Sequence, residues 1–217
     1  RPSFDVKVCW VIALEPEARP IIDELDLRRY AHNLNFPVYF NRENGHALVI
    51  SGIGPPKAAA AATCLKMLLN VESYVGWINL GIAGFYSQPI GKLYQAIKVY
   101  DTAEKKSYFP GVRLSKILKC QTLHTVSQPE MAYLETVLFD MEASGFCEMA
   151  PTFSCNELVF VLKIVSDTPD HPVRLVSKET ISQLIYQNME KLKEIILVIE
   201  KLVKEEKKRP VSYTHLT

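Results

Sequence analysis

Five times along the chain a short apolar, β-branched run stops abruptly at glycines or carboxylates. Val6–Leu14 runs into Glu15-Pro16-Glu17, and Ala47–Ile50 into Ser51-Gly52-Ile53-Gly54. Tyr74–Leu80 ends in Gly81-Ile82-Ala83-Gly84, Val137–Phe139 in Asp140-Met141-Glu142, and Leu158–Val165 in Ser166-Asp167. Runs that stay apolar at successive positions bury both faces of a strand, which is how strands of a parallel sheet read. Helical stretches follow several of them, including the alanine-rich Lys57–Leu69. Strands alternating with helices predict an α/β fold with a mostly parallel twisted central sheet flanked by helices.

Leu93–Tyr100 and Leu118–Val126 read as further strands joined by an irregular stretch. From Lys178 to Lys207 apolar residues recur at helical spacing, which predicts one amphipathic helix covering a face of the sheet. A single domain over 1–208 accounts for this pattern. Residues 209–217, where the helical pattern breaks at Pro210, read as a non-native or disordered tail. Ligands of open α/β sheets bind beyond the carboxyl ends of the strands, and Glu17, Gly52, Gly84 and Asp167 all fall there.

Charge narrows the partners. With 25 basic and 24 acidic residues and a formal charge of +1, the chain carries no broad field to hold nucleic acid or an anionic membrane. A small neutral ligand fits better. No apolar run reaches the roughly 20 residues needed to span a bilayer. Five cysteines without a CxxC pair predict a reducing, cytoplasmic setting. Five histidines scattered singly predict no metal site, and no motif calls for a cofactor.

Asp167, directly after a buried strand, sits where desolvation can raise a carboxyl pKa and make it a proton donor; it reads equally as a turn or helix cap. Glu142, between Met141 and Ala143, is either a buried carboxylate needing hydroxyl donors or an exposed residue of a short helix. Glu17 reads as a general base or as a first-turn acid that only supports the helix start. Lys163 interrupts the last apolar run. It either neutralises a nearby carboxylate or extends its head to the strand edge.

Taken in order, Ala13-Leu14-Glu15-Pro16-Glu17, Ser51-Gly52-Ile53-Gly54, Asn79-Leu80-Gly81-Ile82-Ala83-Gly84, Asp140-Met141-Glu142-Ala143 and Ser166-Asp167 resemble the methylthioadenosine and adenosylhomocysteine nucleosidases of the nucleoside phosphorylase superfamily. The resemblance runs from about Val6 to Val203. It implies a small-molecule purine nucleoside as substrate, hydrolysis of its N-glycosidic bond, and a homodimer. It also implies roles: Glu17 activates water, Asp167 protonates the purine, and Met141 and Glu142 hold the ribose. Ser166, Ile53, Ala83 and Gly84 would complete the substrate site.

Phosphorolytic members of that superfamily carry an arginine before the glycine motif and a hydroxyl residue within it. Here the matching positions are Asn79 and Ile82, so a bidentate cation and a hydroxyl donor are both missing and water is favoured as acceptor. A phosphorylase and a noncatalytic nucleoside-binding module stay open as alternatives. The second draws on the shortened segment before Met141-Glu142, where Thr122–Pro129 offers no aromatic to stack on a base. Tyr86, Phe109 and Leu114 are candidates for a subunit interface.

Overall fold

The computed structural model describes residues 5–209 apart from 88, 131 and 134. The first apolar run forms β1 (Val8–Ile12), whose alternate residues feed two cores. Cys9 and Val11 face one side; Val8, Trp10 and Ile12 face the other. The chain then enters α1 (Glu15–Glu24), and after it come β2 (Arg28–Tyr30), β3 (Val38–Asn41) and β4 (His46–Ile50). α2 (Pro55–Leu69) leads to β5 (Gly76–Gly84), β6 (Leu93–Asp101), β7 (Lys106–Tyr108), β8 (Cys120–Thr125) and β9 (Leu138–Asp140). The chain closes with α3 (Ala143–Phe153), β10 (Val159–Asp167), α4 (Lys178–Gln187) and α5 (Met189–Lys207).

One ten-stranded sheet organises these elements, in the order β10-β6-β8-β9-β5-β1-β4-β3-β2, with β7 off this path and paired to β6. β5 also pairs with β10, so β5, β10, β6, β8 and β9 close into a ring. Its central strands β4, β1, β5 and β10 run parallel, as their apolar runs predict. The sheet as a whole is mixed: β6 meets β10 antiparallel, β5 meets β9 antiparallel, and β2-β3-β4 form an antiparallel edge. An apolar run reports burial on two faces, and burial carries no information about strand direction.

α2 and α3 cover one face, burying Ala58, Ala62, Leu65 and Phe146 against Trp77 and Val161. α1, α4 and α5 cover the other, with Ile21, Ile185, Leu192 and Ile199 against Trp10, Ile78 and Phe160. The expected single C-terminal helix is two, broken at Asn188, whose side-chain amide donates to the carbonyls of Gly91 and Leu184 at 2.9 Å each. Helical spacing survives a one-residue break, so periodicity alone does not reveal it. Leu114, expected at an interface, is buried in the core, whereas Phe109 is 63% exposed. The expected tail lies outside the described residues from 210 onward.

Candidate active site

α1 begins one residue after Leu14, and its first turn holds two glutamates with different fates. Glu15 is exposed and pairs with Arg19 at 2.7 Å. Glu17 is buried: its Oε1 accepts from the Leu14 N–H at 2.9 Å, and its Oε2 reaches β5 to accept from the Ile82 N–H at 2.8 Å. It therefore caps the helix start and also ties that start to the carboxyl end of β5.

A bulge at the end of β10 places the next groups. Val165 pairs with Ala83 and Asp167 with Gly84, so Ser166 is the extra residue. Such a bulge re-aims side chains at a strand's end. Ser166 Oγ donates to Asp167 Oδ1 at 2.7 Å, and the Tyr133 hydroxyl donates to Asp167 Oδ2 at 2.5 Å.

β9 delivers Asp140, Met141 and Glu142. Asp140 Oδ1 accepts from Thr125 Oγ1 at 2.7 Å, and its Oδ2 accepts from the Ala143 N–H at 2.8 Å, at the start of α3. Beneath these carboxylates lies Lys163, fully buried on β10, with Nζ 3.1 Å from Asp140 Oδ2 and 3.8 Å from Glu142 Oε1. The ion pair with Asp140 lacks hydrogen-bond alignment, so the ammonium acts as a shared central charge.

The electrostatics follow from burial. Desolvation pushes the Glu17 carboxyl above its ordinary value, against the pull of Lys163 and the two N–H groups. Glu142 is pushed up to about 8 by burial first and by Asp140 second, with Lys163 opposing. Burial alone would lower Lys163, but Asp140, Glu142 and Glu17 outweigh it and hold the ammonium above its ordinary range. One buried cation thus serves three carboxylates.

These groups border a cavity of about 250 Å³ at the carboxyl ends of β1, β5, β9 and β10. That is just under the roughly 300–1,000 Å³ usual for small-molecule sites. Glu17, Ile53, Ala83, Gly84, Met141, Glu142, Ser166 and Asp167, the residues the resemblance assigns to the site, all line it. Ile53 is half-exposed, and Val173 and Val176 line the cavity as well. Phe139 supplies an aromatic wall that Thr122–Pro129 does not offer. Its only sequence signal is its place one residue before Asp140. Tyr133 has no signal of its own: it lies in an aperiodic stretch and reaches Asp167 across 34 positions.

A second cavity, of about 480 Å³, opens between α2, α3 and the β6–β7 hairpin. Two of its three carboxylates are already engaged: Asp101 accepts from Ser144 Oγ, and Glu148 from Lys106 and Tyr108. Among the described residues no group of three or more His, Cys, Asp or Glu is arranged to hold a metal ion.

No protein-family model and no curated protein matches the sequence. Solved structures do. The apo 5′-methylthioadenosine nucleosidase of Arabidopsis thaliana superposes with a TM-score of 0.75 at 17% identity, over 91% of this chain and 97% of that one. The chain has the fold of these nucleosidases. The Helicobacter pylori 5′-methylthioadenosine/S-adenosylhomocysteine nucleosidase, solved with butyl-thio-DADMe-Immucillin-A, gives 0.72 at 14% identity, over 90% of this chain and 100% of that one. Futalosine hydrolase of Helicobacter pylori gives 0.70 at 14%, over 89% and 98%. The nucleosidase fold accounts for carboxylates converging from strand ends that are far apart in sequence.

Proposed function

We propose that this chain is a purine nucleosidase that hydrolyses the N-glycosidic bond of a nucleoside such as methylthioadenosine or adenosylhomocysteine. The observation that carries the reading is the meeting of Glu17, Glu142 and Asp167 around one small cavity, with Lys163 buried beneath. Asp167 gives a proton to the purine at N7 as the C1′–N9 bond breaks and its electron pair leaves with the base. The sugar becomes oxocarbenium-like, and water attacks C1′ while Glu17 takes its proton. A carboxyl whose pKa burial has raised is the stronger base for that step. Glu142 accepts hydrogen bonds from the ribose hydroxyls, and Met141 packs on the sugar. The division of labour is that of paired carboxylates in glycoside hydrolysis.

Water is favoured over phosphate because, among the described residues, the cavity wall holds no arginine, lysine or histidine. A phosphate acceptor needs cations or directed donors. We place the chain in the cytoplasm, in keeping with five free cysteines, and propose a homodimer with the exposed Phe109 and Tyr86 as contact candidates. Light scattering of the purified protein tests the dimer.

Release of free base from a panel of purine nucleosides, with and without phosphate, tests the chemistry. Phosphate-independent release that Asp167→Asn lowers by about 10²–10⁴ is the expected result. Strict dependence on phosphate makes the protein a phosphorylase. Binding without release makes it the noncatalytic module.

A further inference from the structure

The Asp167 carboxylate is held at both oxygens, and the two holders differ. Ser166 is its neighbour in the chain and lines the cavity with it. Tyr133 comes from a separate loop and does not line the cavity, so it grips Asp167 from behind the face a ligand would touch. Its side chain is buried, with its ring edge-on to Phe139 at 6.3 Å between centroids.

Three features serve this one contact. Tyr133 adopts a left-handed backbone with φ of 49°, a conformation that residues with a Cβ rarely take. The Glu130 carboxylate holds that turn, accepting from the N–H groups of Ala132 at 2.6 Å and Tyr133 at 3.0 Å. Gly84 leaves the space the contact needs: a Cβ there would stand 2.7 Å from Asp167 Oδ2 and 3.1 Å from the Tyr133 ring. A strained backbone, a capped turn and a missing side chain all converge on one hydrogen bond, the kind of local strain that collects at functional sites.

We infer that Tyr133 is a positioning residue for base departure: its hydroxyl fixes the Asp167 carboxyl and stabilises the carboxylate left when Asp167 has given its proton to the leaving base. This rests on the nucleosidase reading. When the C–N bond breaks, the pair goes to the base, the Asp167 proton goes to the base nitrogen, and Asp167 becomes an anion. The Tyr133 proton stays on tyrosine throughout, because burial and the neighbouring Asp167 push its phenol well above the ordinary tyrosine range. A donor aimed in advance at a charge that develops only as the bond breaks lowers the barrier and leaves binding alone.

Tyr133→Phe keeps the ring on Phe139 and removes only the donor. It is assayed on a purine nucleoside and on a nitrophenyl riboside, whose leaving group departs without a proton. The expected result for the purine nucleoside is a kcat about tenfold lower with KM changed less than twofold. Turnover of the nitrophenyl riboside stays within twofold, and so does the ratio of folded to unfolded protein at a fixed urea concentration. Equal losses on both substrates, or a rise in KM alone, would make Tyr133 a structural residue and overturn the inference, as would an unchanged purine kcat. A wild-type protein that cleaves neither substrate removes the nucleosidase reading and the inference with it. A wild-type protein that cleaves both, with a variant that matches it, removes the inference alone.

Discussion

Glu17 and Lys163 both reach into the space over the backbone of Gly81 that a side chain would occupy, and there their charges act on each other without a direct ion pair. A Cβ at Gly81 would stand 2.7 Å from Glu17 Oε2 and 3.2 Å from Lys163 Nζ. Gly81 itself pairs with Lys163 in the β5–β10 register, so strand pairing brings the ammonium to the glycine that Glu17 also approaches.

Gly81→Ala should therefore act on the proposed base rather than on the fold. The added methyl displaces a carboxylate that two backbone N–H groups hold in place. Base release should fall by about 10²–10⁴, the usual contribution of one positioned acid or base. Stability should fall by only about 1–3 kcal/mol, the cost of overpacking. Initial rates and urea unfolding on the same preparation check both, and a variant with full activity would remove Glu17 from the mechanism.

Lys163→Met leaves Asp140, Glu142 and Glu17 buried without their cation. Removing one partner of a buried pair costs about 3–5 kcal/mol. The loss should be larger at pH 8 than at pH 5, because Glu17 and Glu142 are already pushed toward their neutral forms and can take up protons in acid. Urea midpoints at the two pH values check this. Equal losses would mean that Lys163 contributes packing alone.

Much of this site is legible in the sequence, because the groups sit where apolar runs end and a strand's end is a place periodicity can find. Glu17, Gly84, Glu142 and Asp167 are all found that way. Lys163 is visible as a charge inside an apolar run, and its two readings separate only when β10 is set beside β5 and the end of β9. Tyr133 is invisible, since nothing local marks a residue whose partner is brought near by the closure of the ring. The same limit hides the sheet's mixed direction; β2, with two arginines in three residues, carries no apolar run, and the run in β3 is only Val38-Tyr39-Phe40.

Gly145 tests how the mouth of the cavity depends on helix packing. It lies in the first turn of α3, where an added Cβ would collide with the Pro55 carbonyl at the start of α2, standing 2.5 Å from the carbonyl carbon. Helix backbone yields less readily than a side chain, so Gly145→Ala should cost about 3 kcal/mol, the upper end for overpacking. Pro55 follows Gly54, whose N–H faces Glu142. The variant should therefore also weaken nucleoside binding. Thermal unfolding and equilibrium binding check the two effects, and unchanged stability would show that α2 and α3 slide apart freely.

Glu142 makes stability depend on pH in a direction opposite to most glutamates. Burial and Asp140 push it from its ordinary 4.5 up to about 8, so the folded protein favours its protonated form more than the unfolded chain does. The associated stability is complete below about pH 4.5 and is lost as pH rises through about 8. Glu142→Gln, neutral at every pH, lacks that loss. Its stability relative to the native protein should rise steadily between those values and level off above them. Urea unfolding of both proteins at pH 4.5, 6, 8 and 9 measures the difference. Parallel curves would mean that Lys163 keeps Glu142 ionised throughout, and the ribose hydroxyls would then meet a carboxylate that needs no deprotonation before it can receive them.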